Sequence, residues 1–238
     1  MNGKVLNRDV LKYIAIFTMT LDHIGWYFLS FFTPTAQIFH ILGRTTAPVM
    51  CFFLAEGYTY TKSKKKYALR LFVFALLSQF PWWYLHDNYF TLSFNMMFTL
   101  FLCLCALFVF DTVENTVMKT ALIILICYLT TFCDWHIYAV LWCLVFYKYK
   151  DNEFKKFTAF SVVSLFYVFE TFIKRLTDYE AGLDFAVTSS LFTLGVFLSI
   201  PLLMMYNGKK GNFRMNKWVF YWYYPVHLFI ICVIKMYM

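Results

Sequence analysis

Apolar residues gather in nine runs, near 10–32, 36–58, 67–85, 90–110, 117–133, 135–149, 155–173, 184–206 and 216–237, with short polar joints between them. A helix needs about 20 mostly apolar residues to cross a hydrocarbon core, whereas a barrel strand needs about 9–11 with polar and apolar positions alternating. The runs have helix length and no period of two. They predict an all-α protein, a polytopic transmembrane helix bundle of about nine spans, in one domain over 1–238. The stretch 117–149 is less regular, because Asp134 splits it into two short runs. These read either as two spans meeting at a tight outer turn or as one span with a re-entrant piece.

Lysine and arginine give the orientation, since short cytoplasmic loops carry the excess. Alternate joints hold Lys4, Arg8 and Lys12; Lys62, Lys64, Lys65, Lys66 and Arg70; Lys119; Lys148, Lys150, Lys155 and Lys156; and Lys209, Lys210, Arg214 and Lys217. The opposite side has only Lys174, Arg175 and Lys235, and Arg44 falls inside a run. The N-terminus is therefore expected in the cytoplasm and the C-terminus outside. Composition agrees: 14% of residues are charged, against roughly 25% in soluble proteins. A formal charge of +8 would suit nucleic acid, but these basic residues border apolar runs, where anionic membrane lipids are the expected partner. Nucleic acid is set aside. Seven cysteines lie scattered in apolar runs without C-x-x-C spacing, so neither a metal site nor a disulfide framework is expected. The first run lacks a small-residue cleavage site and reads as an uncleaved span.

Ionisable residues at membrane depth are costly and mark function or internal pairing. The first run carries Lys12, Asp22 and His23; the second Arg44 and Glu56; the third Arg70; the outer turn Asp134; the seventh Glu170; the ninth His227. Lys12 and His23 are eleven positions apart, which on a helix is about 20° beyond three full turns and a rise of ~16 Å. They share a face, with one end at the cytoplasmic head groups and the other near the midplane. Such a stripe suits a long cytosolic donor, its phosphates at Lys12 and its reactive end at His23; the plainer reading is a snorkelling lysine and a packed histidine. Asp22 and His23 are adjacent and so point about 100° apart on a helix, which argues against a dyad between them. Asp134 is an alternative carboxylate for His23, and Asp22 suits an ion pair with Arg44 on the next helix.

Pro48 lies four residues after Arg44 and frees its carbonyl, so a kink is expected there, of the kind tolerated where a helix lines a cavity. Glu56 and Arg70 flank the basic joint Lys62–Lys66, which suits either a phosphorylated ligand or anionic lipid. Tyr221, Tyr224 and His227, three apart, make a polar stripe on the last run. Asn95 and Thr99, four apart, suit hydrogen bonds to neighbouring helices.

In order and combination the motifs resemble the TraX family of integral membrane proteins, named for a pilin N-acetylase. The marks are Leu11-Lys12-Tyr13-Ile14-Ala15 leading to Asp22-His23-Ile24-Gly25, Gly43-Arg44 with Pro48, and Phe53-Leu54-Ala55-Glu56-Gly57-Tyr58. Further on stand Tyr67-Ala68-Leu69-Arg70-Leu71, Ser78-Gln79-Phe80-Pro81, Asn95 with Thr99, Asp134-Trp135, and Lys217-Trp218 before Tyr224-Pro225-Val226-His227-Leu228. Ala139 departs from the glycine expected there. The wider transmembrane acyltransferase group is similar in placing a basic residue eleven positions before a histidine in the first span. The resemblance implies a multi-pass protein of the bacterial cytoplasmic membrane that moves acetyl from cytosolic acetyl-CoA, its co-substrate, to an amine or hydroxyl. The implied acceptor is a pilin-like protein, a glycan or a small molecule. On this reading the candidate catalytic residues are His23, as base or as the acetyl carrier of a two-step transfer, Asp22, Arg44 or Asn95 at the oxyanion, Asp134, and His227 as a second proton carrier or a structural hydrogen-bonder. Lys12, Glu56, Arg70, Lys217 and Tyr224 are the implied CoA-binding set. The rival readings are a secondary transporter and a non-catalytic assembly factor for a surface filament.

Overall fold

The computed structural model describes residues 4–86, 92–178, 182–211 and 218–238. Among these, helix α1 spans Arg8–Phe28, α2 Pro34–Gly43, α3 Thr46–Tyr60, α4 Lys64–Leu85, α5 Met96–Thr112, α6 Thr116–Thr130, α7 His136–Lys148 and α8 Glu153–Asp178. Helix α9 (Gly182–Ser190) runs through a 3-10 segment, Leu191–Leu198, into α10 (Ser199–Met204), and α11 covers Trp218–Met236. With α2–α3 and α9–α10 each counted as one run, these are the nine segments expected. Pro34–Tyr60, Lys64–Leu85, Glu153–Thr177, Gly182–Met204 and Trp218–Tyr237 are long and apolar enough to cross a membrane, and α5, α6 and α7 are shorter apolar helices. The protein is an all-α, polytopic membrane protein.

Helix starts are set locally. Asn7, Thr33, Ser63, Asn95 and Asn115 each stand just before a helix and accept a backbone N–H of its first turn, satisfying donors that the helix itself leaves open. At the kink expected from Pro48 the helix breaks for two residues, Arg44 and Thr45. Pro48 has no N–H for the Arg44 carbonyl, α2 stops at Gly43, and α3 restarts at Thr46. Hydroxyls fill the gap: Thr45 Oγ1 donates to the Leu42 carbonyl at 2.7 Å, and Thr46 Oγ1 to the Ala15 carbonyl of α1 at 3.0 Å. The 117–149 stretch is two helices joined by a turn, in which Trp135 and His136 take φ of 64° and 44°. The turn is tied inward, since Phe94 N–H donates to the Phe132 carbonyl at 2.8 Å and Asp134 N–H to the Phe94 carbonyl at 2.9 Å.

The chain divides into two compact units. Unit 1 comprises residues 1–50 and 157–214, and unit 2 residues 51–156 and 215–238. In unit 1, α1 packs along α2, and α2 packs on the 3-10 segment. The second contact is close, because a Cβ on Gly195 would overlap the Ile41 carbonyl oxygen and lie 2.7 Å from its carbon. Small residues let helix backbones approach in this way where no hydrophobic force drives helices together in lipid. In unit 2, α5 is central, packed by α4, α6 and α7, with α11 against α4. Its interior contains Leu107, Ala139, Trp142 and the three thiols Cys51, Cys103 and Cys143, all fully buried. Outward positions such as Phe80, Ile124, Phe166 and Phe229 remain exposed, as lipid-facing residues should.

Candidate functional site

In unit 1 the polar residues of α1 and α2 meet across the helix pair. The Asp22 carboxylate, buried, receives Arg44 Nη2 on Oδ2 at 2.5 Å and His40 Nδ1–H on Oδ1 at 2.8 Å. The approach depends on Gly43, where a Cβ would lie 2.6 Å from Asp22 Cγ. One turn back along α1, the Thr18 hydroxyl meets Thr45 Oγ1 at 3.2 Å and Thr46 Oγ1 at 3.1 Å. A continuous polar seam thus runs from the α2–α3 interruption to the Asp22 carboxylate. Arg44 also lies over the Phe192 ring at 5.2 Å, so its guanidinium is held from two sides.

His23, next to Asp22, turns elsewhere, as the 100° step between neighbours requires. It is half-buried, stacks 6.1 Å from Tyr27, and its Nδ1 is 2.8 Å from the Met19 carbonyl. A carbonyl only accepts, so Nδ1 carries the hydrogen and Nε2 is the basic nitrogen of the neutral ring. Lys12 stands on the same unbroken helix, half-buried.

Unit 2 holds a second polar cluster. Asn95 caps α5 by accepting Met97 N–H at 2.9 Å, and its Nδ2 donates to Gln79 Oε1 and to the Ala75 carbonyl, each at 2.8 Å. Gln79 in turn donates to the Ser93 carbonyl at 2.7 Å. Tyr224 accepts Met96 N–H at 3.3 Å, and His227, buried, points Nδ1–H at the Tyr223 carbonyl at 2.9 Å. Thr99 donates to the Asp134 carbonyl at 2.7 Å. The guanidinium of Arg70 sits between the rings of Tyr67 and Tyr221, at 5.6 and 5.8 Å. Glu56 is half-buried on α3. Near the end of α5, Asp111 gathers Lys64 at 2.7 Å, Tyr58 at 2.8 Å and Tyr147 at 2.6 Å.

The predicted residues thus divide between two clusters. Lys12, Asp22, His23 and Arg44 belong to unit 1; Glu56, Arg70, Asn95, Asp134, Tyr224 and His227 belong to unit 2. Lys217 lies outside the described residues. The Asp22–Arg44 pair was one of the alternatives open for Asp22, and it forms. Both amide hydrogens of Asn95 are engaged in holding α4 to the start of α5. Two partners escape the sequence reading. His40 sits in an apolar run, and its only signal is the four-residue spacing to Arg44 that sets both on one face of α2. Gln79 appears in the sequence as part of a motif, with nothing to say that it pairs with Asn95.

Comparison with known proteins supplies the remaining context. The chain is 32% identical over 241 residues to a probable fimbrial assembly protein FimC, serogroup H1, of Dichelobacter nodosus, covering 96% of this chain and 95% of that protein. It is 26% identical over 226 residues to an uncharacterized protein of Rickettsia prowazekii (strain Madrid E), covering 91% and 86% respectively. No solved structure matches it. The family model described as TraX protein matches residues 7–235, nearly the whole chain, and the protein accordingly belongs to the TraX family.

Proposed function

We propose that this protein is a membrane acetyltransferase of the cytoplasmic membrane, moving acetyl from cytosolic acetyl-CoA to an amine or hydroxyl on a pilus-related acceptor. The observation that carries the proposal is the face of α1: one unbroken helix bears Lys12 at one end and, three turns on, a histidine whose Nδ1–H is fixed on the Met19 carbonyl. A fixed tautomer leaves Nε2 to act as base. His23 takes the proton of the attacking amine or hydroxyl as its nitrogen or oxygen bonds to the acetyl carbon, and returns that proton to the sulfur as the carbon–sulfur bond breaks to release the CoA thiol. Arg44, oriented by Asp22, stabilises the oxyanion that forms on the acetyl oxygen. Lys12, at the expected cytoplasmic end, holds the anionic part of the substrate. This division of labour keeps the reacting groups within unit 1; Arg70, Tyr224 and His227 of unit 2 form a second set for the same mutational scan.

The test is acetyl-CoA binding and slow thioester hydrolysis by purified protein in nanodiscs. Lys12→Ala is expected to weaken binding, while His23→Ala keeps binding and loses hydrolysis. Absence of saturable acetyl-CoA binding to folded wild-type protein would sink the proposal. The name of the Dichelobacter nodosus relative favours a second reading, a non-catalytic factor in filament assembly. On that reading His23→Ala supports assembly in cells as well as wild type does.

A further inference from the structure

His40, bonded directly to Asp22, has no place in the reaction above, and it is fully buried. Its ring is enclosed by Trp26, Phe31 and Phe192, with centroids at 4.3, 5.4 and 5.8 Å. One face abuts Gly25, where a Cβ would lie 2.8 Å from His40 Cε1. Nδ1–H donates to Asp22, yet Nε2 is buried without a hydrogen-bond partner. A donor to Asp22 could have come from a smaller side chain that left nothing unsatisfied. The unsatisfied nitrogen carries a desolvation cost, and what the site gains for it is a donor on a rigid ring that its cage holds in one plane. A fixed ring fixes the carboxylate, and the carboxylate fixes the guanidinium on its other oxygen.

We infer that His40 is a positioning residue: through Asp22 it sets the Arg44 guanidinium at the reacting centre. The inference rests on the acetyltransferase reading for its catalytic consequence, but its geometric half does not. His40 itself touches no substrate. It acts on Arg44 as a supporting group acts on a preorganised one, where small misplacement of the supported group is costly.

Two readouts separate these halves. The first is the rate at which phenylglyoxal modifies Arg44, followed by mass spectrometry of protein in nanodiscs. His40→Phe keeps an aromatic ring in the cage and removes the donor; Gly25→Ala drives the ring aside without altering its chemistry, and so serves if His40→Phe does not fold. Both are expected to speed Arg44 modification, whereas His40→Asn, which retains a donor at the Nδ1 position, brings it back toward wild type. An unchanged rate in both overturns the inference. The second readout is acetyl transfer. His40→Phe is expected to lower kcat by roughly 10²-fold, the scale of losing one oriented oxyanion donor, with KM for acetyl-CoA little changed. In an Arg44→Gln background the same substitution is expected to have no further effect on kcat. An equal loss with and without Arg44 shows that His40 acts on folding alone and overturns the inference. Faster Arg44 modification in a protein whose wild type turns over no acetyl-CoA leaves the positioning role standing and removes the acetyltransferase reading.

Discussion

Replacing Asp22 by alanine removes a carboxylate bonded to both His40 and Arg44. The Asp22 and Arg44 side chains are 12% and 13% exposed, so the surviving guanidinium cannot simply be hydrated where it stands. Breaking a buried pair by deleting one partner costs about 3–5 kcal/mol, because it strands the other charge. His40 Nδ1–H also loses its acceptor, worth about 1–3 kcal/mol for a buried donor. The two terms belong to one cluster, so they do not add in full and about 4 kcal/mol is the net expectation. At about 2–4 °C per kcal/mol for a chain of this length, the melting temperature in detergent, read by tryptophan fluorescence, should fall by roughly 8–16 °C. The double variant Asp22→Ala with Arg44→Met tests the cause. Once the cation is gone, most of the loss should be recovered, giving a coupling energy on the order of 2 kcal/mol in a double-mutant cycle. A single variant that melts within a degree or two of wild type refutes the argument. So does a double variant no better than the sum of its parts, since the pair would then contribute only packing.

Gly195→Ala should destabilise by at least the roughly 1–3 kcal/mol of an overpacked contact, because the added carbon meets the Ile41 backbone and not a movable side chain; Gly182→Ala, where the surroundings are open, would test only the positive φ of 84°. Thermal melting of the two alanine variants reads the difference, and equal melting points for Gly195→Ala and wild type would contradict the close α2 contact. Asn95→Ala removes a cap worth about 1 kcal/mol and the 2.8 Å side-chain bond to Gln79 Oε1, which keeps only the longer Asn95 backbone N–H at 3.4 Å, at a further ~1 kcal/mol, so it should lower stability well before it alters acetyl-CoA affinity. Asp111→Asn, by contrast, weakens a cluster with side chains about a third exposed and should cost roughly 1 kcal/mol; a loss as large as that of Asp22→Ala would show that exposure does not govern these pairs. For orientation, a cysteine at Lys62 should react with an impermeant maleimide only in inverted vesicles, and one at Met238 only in intact cells; the reverse pattern overturns the placement of the N-terminus in the cytoplasm.

What was legible in the sequence follows from which forces act at a distance along the chain. Hydrocarbon thickness acts on every run independently, so run length and basic joints suffice to find nine helical segments without knowing any contact. The interruption after α2 was legible for a similarly local reason, since the missing N–H of Pro48 acts on the carbonyl four residues back. The division of the eighth run into α9, a 3-10 segment and α10 was not. Its tight central winding lies where Gly195 meets the Ile41 backbone, a neighbour more than 150 positions away, and nothing within 184–206 encodes that partner. The site shows the same boundary. Costly groups announce themselves, so Asp22, His23 and Arg44 stand out on membrane depth alone, and the 100° step predicts that Asp22 and His23 serve different partners. The choice between an Arg44 pair and a catalytic dyad, however, depends on how α1 lies against α2, which small residues at Gly25 and Gly43 permit but do not announce. His40 is the sharper case. A histidine in an apolar run is unremarkable until the carboxylate 18 positions earlier is seen to face it, and its meaning then comes from the arrangement: a rigid donor, an immobile acceptor and a guanidinium on the far oxygen. In a membrane interior, where a stranded charge is costly, the residue that completes such a set is constrained as tightly as the one that performs the chemistry, and it is found only once the helices are paired.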